Sequence, residues 1–141
     1  MSVRAVHHLD LWVSDPGVAA AEWGWLLGEL GWEVVIDLDV DPAGDAASWA
    51  HPDGTYLFME RSRDLVDEPH DRLRPGINHL ALTVEGRSTL DRLRAESSAH
   101  GWRELFADRY PYAGGEQHPA LFLESSEGFE VEVVLVSQVN Q

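Results

Sequence analysis

His79-Leu80-Ala81-Leu82-Thr83-Val84-Glu85-Gly86 restates, 71 residues later, the pattern of His8-Leu9-Asp10-Leu11-Trp12-Val13-Ser14-Asp15. At that offset His8 falls on His79, Leu9 on Leu80, Leu11 on Leu82 and Val13 on Val84. Later features keep the same spacing: Gly31-Trp32 falls within a residue of Gly101-Trp102, and Glu60 within a residue of Glu132. A repeat of this kind is normally one structural unit that cannot bury its own apolar face alone, so the chain reads as two copies of one unit.

The alternation around each His is the period of a half-buried strand, with Leu9, Leu11 and Val13 on one side and His8, Asp10 and Trp12 on the other. Ser14-Asp15-Pro16 supplies a capping side chain and a proline for the first helical position. Trp23, Leu26, Leu27 and Leu30 then recur at helical spacing until Gly31 ends the helix. Strands are expected over Trp32–Val40, Ala46–His51 and Thr55–Arg61, joined by the turns Asp41–Asp45 and Pro52-Asp53-Gly54. The second copy runs in the same order. Ile77–Val84 is a strand, and Ser88 and Asp91 form a capping box for a helix stopped by Gly101. Trp102–Asp108, Ala120–Glu124 and Gly128–Val136 are strands, after a long turn over residues 110–119. The expected architecture is α+β: two tandem βαβββ modules, residues 1–63 and 76–137, joined by a linker at 64–75. Their mixed sheets curve around a cleft, with the helices outside.

Composition narrows the function classes. The 141 residues include no cysteine, which excludes disulfides and thiolate chemistry, and all ten basic residues are Arg, which excludes a lysine Schiff base. A formal charge of −15 argues against a nucleic-acid or anionic-membrane partner. No apolar run approaches the ~20 residues of a membrane span, and the N-terminus lacks a signal peptide's basic and apolar regions, so a cytoplasmic protein is expected.

Because helices cover one face of each sheet, the residues of opposite parity are left for a cleft. His8 and Glu60 occupy that face in the first copy and His79 and Glu132 in the second, with spacings of 52 and 53 residues. Two imidazoles and two carboxylates without thiolate suit one divalent ion of intermediate hardness, Zn, Ni, Co, Fe or Mn, with positions left open for substrate. Glu132 is preferred to Glu130 because it keeps the repeat offset. Asp10, Tyr56, Phe58, Thr83, Tyr110, His118, Phe122 and Glu130 are the candidate pocket residues. His7 is expected to point toward the helix side. His51, His70 and His100 read as surface residues.

On these residues the chain resembles the vicinal-oxygen-chelate superfamily, which includes glyoxalase I, the bleomycin- and fosfomycin-resistance proteins and the extradiol dioxygenases. The carriers are the strand from His8, its copy from His79, Leu30-Gly31-Trp32, Phe58-Met59-Glu60 and Gly128-Phe129-Glu130-Val131-Glu132. The resemblance implies one divalent metal that chelates vicinal oxygens of a small-molecule substrate. Glu60 extends the two-His, one-Glu set toward the four-ligand set of glyoxalase I. It also implies lyase or isomerase chemistry, in which Glu132, with Glu60 as its symmetry mate, removes a proton beside a carbonyl and the metal stabilises the enediolate. The alternatives are a metal-free, antibiotic-sequestering protein and a ferrous ring-cleaving dioxygenase. A homodimer is implied by the same resemblance.

Overall fold

The computed structural model describes residues 3–36, 46–66 and 68–136. The chain divides into two compact units, Met1–Glu68 and Pro69–Gln141, so the division falls inside the segment expected to be a linker.

In the first unit β1 (His8–Trp12), α1 (Pro16–Glu29), β2 (Glu33–Ile36), β3 (Ala46–Ala50) and β4 (Tyr56–Glu60) follow in order. The sheet order is β1-β4-β3-β2, with β1 and β4 parallel and the other pairs antiparallel. Helix α1 starts where the capping signal lies: the Val18 N–H donates to Asp15 Oδ1 at 3.2 Å, and Pro16 occupies a position that needs no donor. Trp23, Leu26 and Leu27 of α1 are fully buried with Trp49, Leu57 and Met59 of the sheet. Each such Leu or Met contributes roughly 1.5–3 kcal/mol. Gly24 lies against the Trp49 indole, where a Cβ would make an ordinary contact at 3.5 Å.

The second unit repeats the plan with β5 (His79–Glu85), α2 (Arg87–Glu96), β6 (Arg103–Leu105), β7 (Ala120–Glu124) and β8 (Glu130–Val136). Its sheet order is β5-β8-β7-β6, with β5 and β8 parallel. Leu90 and Leu93 of α2 are buried with Leu82, Leu121, Leu123, Val131 and Val133. The two-module α+β plan read from the repeat is therefore the observed one, with a mixed four-stranded sheet and one helix in each unit.

Three local expectations change. Helix α2 is capped by Gly86 in a left-handed conformation (φ 85°) with no side-chain cap. Ser88 lies inside the helix, and Asp91 bonds Arg87 and Tyr110 rather than closing a capping box. The strand expected over Trp102–Asp108 is only Arg103–Leu105, because Phe106 turns left-handed (φ 58°) and begins a short 3-10 turn. His7 is not turned into the core. It is exposed, with Nδ1 2.8 Å from His8 Nδ1 and its ring edge-on to Tyr56. The strand expected over Trp32–Val40 is seen as Glu33–Ile36. Its remainder and the Asp41–Asp45 turn lie outside the described residues.

Candidate functional site

In the second unit the strand pairing sets the site. The ladder places His79 opposite Glu130, Ala81 opposite Glu132 and Phe122 opposite Glu132 from the other side. His79, Glu130, Glu132 and Phe122 thus share the sheet face away from α2. Both carboxylates are buried there, Glu130 at 7% and Glu132 at 5% exposure. His79 Nε2 lies 3.0 Å from Glu132 Oε2, and His118 Nε2 lies 2.5 Å from Glu132 Oε1. Each oxygen of one buried carboxylate therefore carries an imidazole nitrogen. On the other side of the His79 ring, Nδ1 lies 2.8 Å from Asn78 Oδ1 and 3.4 Å from Glu130 Oε2.

Arginine neutralises the neighbouring carboxylates but does not reach this one. Arg72 pairs closely with Glu124 and lies 3.7 Å from Glu130, and Arg103 pairs with Glu124 at 2.6 Å. The Arg103 hydrogen bond, helped by Arg72, holds the Glu124 carboxyl below the usual carboxylate range against the opposing effect of burial. Three poorly exposed carboxylates thus face two guanidiniums, and no guanidinium pairs with Glu132 among the described residues.

This arrangement bears on whether a divalent ion fits. Both nitrogens of His79 face oxygens, yet a neutral imidazole carries only one N–H. With a proton on either nitrogen, the other lone pair is aimed at an oxygen, an arrangement that a cation resolves. Imidazole with carboxylate is the donor chemistry of Zn, Ni, Co, Fe or Mn. The residues fit the group in chemistry and in charge. Among the described residues no three His, Asp or Glu side chains are already grouped around one point.

The first unit uses the same face differently. His8 stands opposite Tyr56, Asp10 opposite Phe58 and Trp12 opposite Glu60. The His8 ring lies flat on Tyr56, with centroids 4.6 Å apart and planes 3° from parallel. Measured along the parallel ladder from each His, Phe58 occupies the position that Glu132 holds in the second unit. Glu60 corresponds to Val134, two residues further along. The near-equal spacings in the sequence conceal this shift, because the segments between strands differ in length in the two units. Burial first, and then a hydrogen bond with Asp10, pushes the Glu60 carboxyl above its ordinary value.

Of the remaining pocket candidates, Thr83 lies exposed further along the free face and Phe122 stands beside His79, with centroids 6.4 Å apart. Tyr110 lies elsewhere. Its hydroxyl donates to Asp91 Oδ1 at 2.6 Å and its ring lies under Arg94 at 4.2 Å, so it packs on α2 and not beside His79. One residue beside the site carries no signal in the sequence: Arg72, in the expected linker, binds Glu124 and Glu130, while nearby the His70 ring stacks on Phe129 with centroids 4.4 Å apart. Gly128 is close to this segment: a Cβ there would come within 2.9 Å of the His70 carbonyl oxygen.

Comparison with known proteins follows the same lines. The model of the Glyoxalase/Bleomycin resistance protein/Dioxygenase superfamily matches residues 7–122. The uncharacterized protein YqjT of Bacillus subtilis (strain 168) is 35% identical over 133 residues, covering 94% of this chain and 99% of that protein. A candidate glyoxalase from Bacillus halodurans superposes with a TM-score of 0.83 at 33% identity, over 94% of this chain and 96% of the other. The fosfomycin resistance protein FosX of Listeria monocytogenes, solved with Mn(II), shares the fold with a TM-score of 0.61 at 13% identity, over 94% and 90% of the two chains.

Proposed function

The chain belongs to the glyoxalase/bleomycin resistance protein/dioxygenase superfamily, and from that premise we propose a metal-dependent lyase or isomerase that removes a proton beside a carbonyl of a small substrate with adjacent oxygens. The observation that carries this reading is Glu132, a buried carboxylate with an imidazole nitrogen on each oxygen and no guanidinium. His79 and Glu132 are the metal donors, both carried by the second unit. A divalent ion bound by them supplies positive charge to two adjacent substrate oxygens and acidifies the neighbouring C–H.

The chain's own residues do the rest. Asn78 and Glu130 hold the His79 ring by Nδ1 and so present Nε2. Glu132, screened from water, accepts the substrate proton on a carboxylate oxygen. Glu60 corresponds on its own ladder to Val134 and not to Glu132, and it bonds Asp10, so it is not taken as a ligand. A cytoplasmic homodimer belongs to the same reading, and elution as a strict monomer would remove the dimer from it.

One observation favours a second reading, sequestration of an aromatic compound without chemistry. Trp12, 56% exposed, stands on the same face as the stacked His8 and Tyr56 rings. The experiment is proton NMR in D2O of the metal-reconstituted protein with a panel of 2-oxoaldehyde thiol adducts and hydroxyketones. Deuterium entering beside the carbonyl, lost roughly 10²–10⁴-fold in Glu132→Gln, supports the lyase or isomerase. Oxygen consumption would point to a dioxygenase, and absence of metal after reconstitution to sequestration.

A further inference from the structure

We propose that His118, from the turn preceding β7, is a third protein donor to the metal, taking the part that the sequence repeat gives to Glu60. This inference rests on the metal reading above and specifies its ligand set. Three independent observations support it. His118 Nε2 is 2.5 Å from Glu132 Oε1, the free oxygen of the carboxylate whose other oxygen faces His79 Nε2. The ring lies over the turn's own backbone, since a Cβ at Gly114 would lie 2.7 Å from His118 Cδ2. The first unit supplies no carboxylate where the repeat asks for one, since Phe58 stands at the ladder position of Glu132 and Glu60 is engaged with Asp10.

The chemistry is that of two imidazoles and one carboxylate, all carried by the second unit, a set that leaves coordination positions open for substrate oxygens. His79, His118 and Glu132 would hold the ion with the same atoms that now hydrogen-bond one another, giving up those bonds. His118 has the freedom to make that exchange, its side chain being 46% exposed while that of Glu132 is 7% exposed. Sequence order hides the arrangement, because His118 precedes β7 and has no counterpart among the repeated positions.

Calorimetric titration of the metal-free full-length protein with Co(II) and Mn(II), together with the visible spectrum of the Co(II) form, tests this. His118→Ala and His118→Gln are both expected to weaken binding by at least about tenfold and to alter the Co(II) bands. Glu60→Gln is expected to leave both unchanged. Gln retains a hydrogen bond to Glu132, so recovery of wild-type affinity in His118→Gln would show a merely structural role and overturn the proposal. Unchanged affinity and spectrum in His118→Ala would overturn it as well, with the metal reading intact. Failure of the wild type to bind either ion would instead overturn the metal reading from which it starts.

Discussion

His8 and His79 open the same strand in two copies of one unit, yet they meet opposite chemistry. His79 stands across from Glu130, with Glu132 on its Nε2, whereas His8 stands across from Tyr56 and lies flat on that ring. Two steps along each ladder, the second unit has Glu132 where the first has Phe58. One backbone plan thus presents a buried anionic pair in the second unit and an aromatic wall with a carboxyl pair in the first. The parallel pairing fixes where side chains stand, and residue identity at three or four ladder positions decides what they can bind.

The comparison is broken most severely through the two histidines. If the second unit holds the decisive donors, His79→Ala weakens metal binding by roughly a hundredfold or more and His8→Ala by less, measured by calorimetric titration side by side. Equal losses would make the two units equivalent as metal holders and would contradict the distinction. Arg72→Ala comes next. It leaves Glu124 with Arg103 alone and removes the guanidinium near Glu130, at a cost of about 2 kcal/mol in urea unfolding, below the 3–5 typical of a fully buried pair. The Glu124 carboxyl is held low in the folded protein, so its stabilisation is present above its unfolded value and is lost as pH falls. Arg72→Ala should therefore raise the pH of acid unfolding as well.

A smaller effect comes from the helix side of the second unit. Burial, with the hydrogen bond to Asp91, pushes the Tyr110 hydroxyl up to about 12. A folded pKa above the unfolded one stabilises fully below the unfolded value near 10, and the contribution disappears as pH rises toward 12. Tyr110→Phe should cost about 1 kcal/mol at neutral pH and remove the alkaline part of the stability profile, which absorbance at 295 nm and chemical unfolding at high pH will reveal. The smallest effect is expected at Glu60. Its carboxyl is raised by burial and by Asp10, so ionisation at neutral pH works against the folded state. Glu60→Gln should leave the melting temperature at pH 7 equal or slightly higher, with the difference vanishing in acid. A marked loss would mean that Glu60 forms a stabilising contact beyond Asp10.

Much of this was legible in the sequence because periodicity reports burial. The alternation after His8 and His79 placed both strands, and Asp15-Pro16 placed the first helix. What failed did so for identifiable reasons. Offset in the sequence equates Glu60 with Glu132, but the hydrogen-bonded ladder, which counts from the parallel strand and ignores loop length, equates Glu132 with Phe58. Gly86 took the cap of α2 from Ser88, since a residue in the left-handed region can turn strand directly into helix. Arg72 and His70 carry no periodic signal, and their partners Glu124, Glu130 and Phe129 lie more than fifty residues away in the chain.

Whether His79 and Glu132 hold a divalent ion is settled by the metal content of the reconstituted protein, measured by plasma mass spectrometry with His79→Ala and Glu132→Gln in parallel. One divalent ion per chain is expected in the wild type and its loss in both variants, each of which should still melt cooperatively. A wild type that takes up no ion, or variants that retain a full equivalent, would contradict this assignment.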